Sequence, residues 1–378
     1  MKFTFTDEQQ QFRDYVRRFM TDKSPISEVR RLMETDAGYD PDVWQALCTE
    51  LGLTGVHIPE AYGGQGFTFV ELGIVMEEMG RSLFPGPYFA SSVLAGCAIL
   101  NAGNESDRER LLPDIASGKQ IATLALAEPN GRWDTSGIGL TLTPDGHGLR
   151  LDGAKSFVLD GCVADYFVVV GREPGSTGDA GLSLVVVGAD APGVTRRPLA
   201  SIDPTRKLAR LEFNGARGES LGNSGQAASA LARTLEQAAV ALASEMVGGA
   251  QTMLDTATEY ARARMQFGRP IGSFQAIKHR CADMLLDVEL ARSGARYAAD
   301  AAAQDDSDLP ALASLVKASA ADAYMRAAAS CIQIHGGIGF TWDHDTHLWF
   351  KRAKGSEVFL GSPNDHRERL MQQWGDSA

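Results

Sequence analysis

Residues 264–283 read RMQFGRPIGSFQAIKHRCAD. Within four positions they set an arginine, an exposed-type aromatic and a helix stop. The Arg264 guanidinium offers a planar fork of donors that pairs with phosphate oxygens, and the Phe267 ring can stack on a flat ligand. An ordinary helix hairpin has the same spacing, and on spacing alone it is the preferred reading. A second candidate is His335-Gly336-Gly337-Ile338-Gly339. Glycines there let backbone N–H groups approach an anion closely, and they also end a helix. A third is Glu245, the lone charged residue in QAAVALASEMVGGAQTML. An isolated carboxylate on such a face is costly to bury unless paired or protonated, which suits either a proton acceptor or a satisfied core residue.

Other chemistries find less support. No G-x-G-x-x-G follows a strand-like run, so a Rossmann dinucleotide site is not indicated. No G-x-S-x-G is present, and no cysteine is paired by position with a histidine, so hydrolase chemistry is not indicated. Asp343, His344, Asp345 and His347 crowd together after Trp342. That run could ligate zinc, but metal sites need defined spacing and supporting partners, and the reading preferred here is a cap for the next helix. Arg196-Arg197 and Arg206-Lys207 could meet phosphates, with a solvated face as the default.

The surrounding elements follow from periodicity. Residues 1–119 read as helical: Thr6 and Gln9 form a capping box ahead of Phe12, Val16, Phe19 and Met20. A glycine-rich loop lies at 62–66. From 120 to 222 the period shifts to two, with Val/Leu/Phe-rich runs at 121–126, 149–159, 165–170, 182–187, 194–198 and 208–213. Such runs predict an antiparallel barrel or sandwich. Residues 215–225, GARGESLGNSG, read as a linker. From 223 to 378 the helical period returns, with helices expected at about 226–265, 274–304, 309–335 and 345–359 in an up-and-down four-helix bundle. Ser273 and Asn364 are the expected N-caps. The fold class is therefore α+β, in the order helical domain, β domain, helical bundle.

The chain has 378 residues, 44% hydrophobic and 22% charged, within the range of soluble globular proteins. A net charge of −12 argues against a nucleic-acid partner. Cys48, Cys97, Cys162, Cys281 and Cys331 form no C-x-x-C, which predicts reduced thiols and a cytoplasmic setting. The start, MKFTFTDEQQ, lacks the apolar segment of a secretory signal, and no run reaches the ~18 apolar residues of a membrane span.

Two stretches carry a resemblance. R-x-Q-F-G-x-P-I-x-x-F-Q-x-I-x-x-x-x-A-D-M is matched at Arg264, Gln266, Phe267, Gly268, Pro270, Ile271, Phe274, Gln275, Ile277, Ala282, Asp283 and Met284, and Q-I-H-G-G-I-G-F-T stands at 333–341. Both resemble signatures of the acyl-CoA dehydrogenase family. The resemblance implies a three-domain fold and an FAD shared between subunits, with Arg264, Phe267, Gln275, Gln333, Gly336 and Gly337 at its adenine and pyrophosphate end. It also implies that the glycine-rich loop and following helix line an acyl pocket. At the flavin-ring end the family's T-E-P-x-A-G-S-D is similar to 127–134, AEPNGRWD, and G-x-K-x-W-I-T-N-G to 153–161, GAKSFVLDG. Ala127, Phe157 and Leu159 thus occupy cofactor positions, with both hydroxyls missing. The family's C-terminal base, the Glu of E-G-T, falls on Leu360; Glu245 lies on the helix that carries the alternative base, several residues later than usual. The resemblance implies oxidation of an acyl-CoA to a trans-2-enoyl-CoA with Glu245 as α-proton base and an electron-transfer flavoprotein as acceptor, in a homo- or hetero-oligomer. The alternative is a non-catalytic partner subunit of a heterotetramer that contributes the adenine half of the FAD site. The chain is also similar to actinobacterial members of the unlike-subunit type that act on steroid side chains.

Overall fold

A computed structural model describes residues 5–146 and 148–375. Its order is α1 (Asp7–Lys23), α2 (Ile26–Met33), α3 (Pro41–Thr49), α4 (Phe69–Ser82), a π-helical run (Phe89–Ala95), α5 (Gly96–Ala102) and α6 (Glu105–Ala116). Strands follow: β1 (Ala122–Ala125), β2 (Thr141–Asp145), β3 (Gly148–Leu159), β4 (Tyr166–Arg172), β5 (Leu182–Gly188), β6 (Val194–Leu199) and β7 (Leu208–Leu221). Then come α7 (Ala228–Ala263), a ladder of β8 (Met265–Gln266) and β9 (Arg269–Pro270), α8 (Gln275–Ala303), α9 (Leu309–His335), α10 (Thr346–Val358) and α11 (Pro363–Gly375). The chain thus has an N-terminal helical region, a β-rich middle and a C-terminal helical region. Among the described residues, no helix is long and apolar enough to cross a membrane.

The chain forms two compact units. One comprises residues 32–68 and 85–238 and holds a seven-stranded sheet in the order β1-β4-β2-β3-β7-β5, with β6 on β7. β4 also pairs with β5, so the sheet curls toward a barrel. Val168, Val169, Val170, Leu184 and Val185 are fully buried, which is why β4 and β5 read as near-continuous apolar runs. β7 runs on to Leu221 and displaces the linker expected at 215–225. Leu149, Arg150 and Leu151 pair with Gly218, Arg217 and Ala216, and β5 pairs with its end. A Cβ at Gly218 would lie 2.6 Å from a Val185 methyl, so this glycine serves close strand packing rather than a turn. β2 was not expected, because Pro144 and Asp145 obscure its alternation. Gly64 packs tightly too: a Cβ there would lie 2.0 Å from the Ile58 carbonyl oxygen.

The second unit comprises residues 5–31, 69–84 and 239–375. Here α8 packs on α9, α9 on α10 and α11, and α4 on α1 and α8. The Thr6–Gln9 capping box forms as expected, with Gln9 N donating to Thr6 Oγ1 at 3.2 Å. Two expected caps differ. Ser273 lies in a short 3-10 turn and donates to the Pro270 carbonyl at 2.7 Å, leaving Phe274 at the α8 N-cap. Ser362, not Asn364, caps α11 through reciprocal bonds with Asp365.

Candidate functional site

At the α7–α8 elbow the chain makes a two-residue hairpin. Gln266 pairs with Arg269, leaving Phe267 and Gly268 as the turn, both left-handed with φ of 53° and 76°. This is the backbone of a type I′ turn, which suits glycine but strains a phenylalanine. The strained ring is turned outward: Phe267 is 90% exposed, with the Phe274 ring edge-on to it at 6.0 Å. Arg269 lies over the Phe274 ring at 4.1 Å. Arg264 is exposed and forms no ion pair among the described residues. Gln275, the first residue of α8, is also exposed.

The glycine turn at the end of α9 lies beside this elbow. Tyr260, one helical turn before Arg264, stacks on His335 with centroids 4.1 Å apart. His335 Nδ1 lies 2.8 Å from the Cys331 carbonyl oxygen, which fixes the ring just before Gly336. Burial lowers the His335 pKa, so the neutral ring is favoured at that contact. Gly336 has φ 67°, and a Cβ at Gly336 or Gly337 would meet nothing within 4 Å. Both glycines are exposed, as is Gln333. Arg30 braces the loop beyond, donating to the Trp342 and His344 carbonyls at 2.9 and 3.2 Å and pairing with Asp345 at 2.6 Å. The two stretches singled out in sequence therefore converge on one cationic, glycine-lined, solvent-facing surface. The hairpin and the Tyr260–His335 stack escaped the sequence reading, although Phe-Gly flanked by β-compatible residues is a hairpin signal.

Among the described residues no His, Cys, Asp and Glu group is arranged to hold a metal. His344 Nδ1 instead accepts from the Thr346 amide at 3.3 Å, at the start of α10, in agreement with the capping role.

Glu245 sits on α7, 4% exposed, and Arg352 of α10 donates to its Oε1 at 2.8 Å. The small residues near it do not leave open space. A Cβ at Gly248 would lie 1.9 Å from the Glu77 carbonyl oxygen, one at Gly80 2.0 Å from the Glu245 carbonyl oxygen, and one at Gly249 2.4 Å from the Tyr324 ring. Gly80 and Gly248 let α4 and α7 approach at backbone distance, and Gly249 admits the Tyr324 ring of α9. The small residues flanking Glu245 are thus taken up by helix packing. Leu360, at the family's more frequent base position, is 4% exposed with φ 62°. Its turn is pinned by Lys317, which donates to the Glu357 and Gly361 carbonyls at 3.2 and 3.0 Å, and by His366 against the Leu360 carbonyl at 3.1 Å.

The remaining expected residues lie in the β-rich unit. β3 carries a bulge between Lys155 and Val158. There Ser156 N leaves the ladder and donates to the Ala127 carbonyl at 2.8 Å, and Phe157 adopts φ 59°. Phe157 is 38% exposed, whereas Ala127 and Leu159 are buried in the core. The Leu159 carbonyl accepts from Thr123 Oγ1 at 2.7 Å. The bulge thus brings Ala127 and Phe157 together but presents only the Phe157 side chain outward.

The comparisons with known proteins agree along nearly the whole chain. Residues 6–119, 123–216 and 227–374 match the acyl-CoA dehydrogenase N-terminal, middle and C-terminal domains. The acyl-CoA dehydrogenase IpdE2 of Mycobacterium tuberculosis is 34% identical over 377 residues, covering 98% of each chain. Among solved structures, a Tcur3481–Tcur3483 steroid ACAD variant superposes with a TM-score of 0.89 at 30% identity over 98% of each chain. A chain of the ChsE4–ChsE5 complex of Mycobacterium tuberculosis does so with 0.90 at 29% identity over 99% of each chain. With all three domains matched in order, the chain belongs to the acyl-CoA dehydrogenase family of FAD-dependent oxidoreductases.

Proposed function

We propose that this chain is one subunit of an FAD-dependent acyl-CoA dehydrogenase assembled from unlike chains, and that it supplies the adenine and pyrophosphate end of the FAD site while the α-proton base comes from another subunit. The observation that carries this reading is the commitment of Glu245 to Arg352 inside the helix packing. A carboxylate held by a buried guanidinium stays an acceptor of that donor, and removing either partner leaves an uncompensated charge. Leu360 cannot take a proton, so neither position indicated by the sequence offers a free base in this chain.

The residues present fit the cofactor's anionic end. Arg264 has an unpaired guanidinium, Gly336 and Gly337 form a cradle free of side chains, and Phe267 exposes a ring at the rim. Arg264 would pair with phosphate oxygens, the 336–337 backbone would approach them, Gln275 and Gln333 would hydrogen-bond polar edges, and Phe267 would cover a flat ring. The ring end fits less fully, since Ala127 and Leu159 offer no side-chain donor and Phe157 alone faces out. FAD supplies the hydride acceptor when bound; this chain's part is to bind and orient it.

The reaction class is α,β-dehydrogenation of an acyl-CoA to a trans-2-enoyl-CoA, with an electron-transfer flavoprotein as acceptor. The steroid ACAD and ChsE4–ChsE5 likenesses favour a bulky, steroid-derived acyl group and an unlike-chain oligomer. A second reading, with Glu245 itself as base, is favoured by its burial on the long helix. Glu245→Gln separates the two: it keeps the volume and an oxygen that can accept from Arg352. In the assembled, FAD-loaded enzyme, flavin bleaching by acyl-CoA at the parent rate is the expected result. A loss of several orders of magnitude would assign the base to Glu245.

A further inference from the structure

The helix α8 packs on α9 and lays Met284, Val288, Ala291 and Ala295 into the core. A second set, Lys278, Ala282, Leu285 and Glu289, recurs at intervals of four, three and four residues. That spacing puts the four side chains on one stripe along another side of the helix. All four are exposed, Leu285 by 49%. The stripe borders an open groove of about 890 Å³ between α7 and α8, whose walls include Leu254, Ala263, Cys281, Ala282 and Leu285. An apolar floor of this size, flanked by charge and left open to solvent, has the character of a contact surface.

The stripe is complementary to its own reverse. Laid antiparallel on a second copy, about a twofold axis between Asp283 and Met284, it sets Lys278 opposite Glu289 and Ala282 opposite Leu285. The axis repeats both pairs on its far side, as an isologous contact requires. Each Leu285 then fills the space that a facing Ala282 leaves, in the manner of a knob in a hole. The opposite charges close the two ends. A parallel arrangement would set lysine on lysine and glutamate on glutamate. Each copy carries a net charge of −12, so there is no general attraction between them, and recognition falls to such local pairs. Twelve residues of helix span roughly 16 Å, which is short of the roughly 800 Å² per partner that a stable interface buries. The groove supplies further area, because a helix seated in it touches both α7 and α8.

We propose that α8 is a homotypic docking surface: two copies of this chain associate through antiparallel α8 helices, each seated in the α7–α8 groove of the other, with Lys278 of one copy facing Glu289 of the second at both ends. The contact uses neither Arg264 nor the glycine turn, so it stands apart from the cofactor reading above and leaves the elbow free for an unlike chain.

Charge reversal tests both the surface and its register. In sedimentation of the purified full-length chain by itself, the parent should run as a dimer. Lys278→Glu and Glu289→Lys, each alone, turn two attractive pairs into two repulsive ones, and each should raise the dimer dissociation constant by at least about tenfold. Mixing the two variants should restore a dimer, because every facing pair is then again of opposite sign. The double variant should restore it in a single chain. Glu289 also pairs with Arg292 on its own helix. Lys278→Glu stands clear of that pair, and Leu285→Arg, which overfills the space at Ala282, should likewise give a monomer; these two carry the test if Glu289→Lys does not fold. A monomeric parent would overturn the proposal and leave the groove to a different chain. A dimer unchanged in Lys278→Glu and Leu285→Arg would place the contact between copies elsewhere. Folded single variants that stay apart on mixing would refute the antiparallel register. None of these results bears on FAD binding by Arg264, which Arg264→Ala tests separately.

Discussion

At the scale of the residue, Glu245 shows how a carboxylate's neighbours decide its role. Its burial suggests chemistry, and its Arg352 partner, 3% exposed, supplies a structural reason for that burial. Breaking a buried pair from one side strands a charge and costs about 3–5 kcal/mol. Arg352→Met should therefore lower the denaturant midpoint strongly. Combining it with Glu245→Leu should recover part of the loss, because the Glu245 carboxylate is then no longer left in the core without Arg352. Additive losses in the double variant would show that the two side chains do not stabilise each other. Lys155 presents the same physics from the basic side. Burial pushes its pKa down to about 8, against the upward pull of Glu128 and with a smaller downward push from Arg172.

Elements decide where these groups can act. A hairpin of two residues per strand turns the end of α7 into a platform, and the stack of Tyr260 on His335 ties that platform to the end of α9. Arg264→Ala removes one charge-assisted contact worth about 1.5–3 kcal/mol. FAD affinity in the assembled enzyme should fall by at least about tenfold, since about 1.4 kcal/mol is a factor of ten. Gly337→Ala tests the cradle separately from the charge. The added methyl meets no protein atom within 4 Å, so thermal stability should be unchanged while FAD is released more readily. Flavin content equal to that of the parent in both variants would remove the elbow and cradle from the cofactor site.

For the molecule as a whole, stability should carry a signature in acid. Burial lowers the pKa of His57 to about 4, and burial with Lys317 and Arg369 nearby lowers that of His366 to about 3. Unfolding returns both to about 6.5, so below that pH the unfolded chain binds more protons than the folded one. The stabilisation is complete above pH 6.5. It is lost as pH falls toward 4 for His57 and toward 3 for His366, at up to about 1.4 kcal/mol per pH unit for each. His366→Gln keeps a donor for the Leu360 carbonyl and cannot titrate. Urea unfolding of this variant between pH 6.5 and 4 should show a shallower pH slope than the parent. An unchanged slope would mean that His366 is protonated in the folded chain. The proposed assembly belongs to this scale as well: it would cover an elbow that holds its phenylalanine 90% exposed.

The sequence by itself determined the order of helical, β-rich and helical regions, because hydrophobic period depends only on neighbours along the chain. The long helices from α7 to α10 fell within a few residues of their expected limits for that reason. The two family signatures likewise singled out Arg264, Phe267, Gly336 and Gly337, which the fold brings to neighbouring positions at the ends of α7 and α9. Only the tertiary structure decided what Gly218, Gly248 and Gly249 are for, since a glycine that ends a strand and one that admits a neighbouring backbone look alike in a sequence. It alone showed that residues 215–221 continue β7, because their partners lie on β3 and β5. And it alone paired Glu245 with Arg352, 107 positions away along the chain. A buried charge is priced by what stands opposite it in space, and one chain read in order does not contain that partner until it folds.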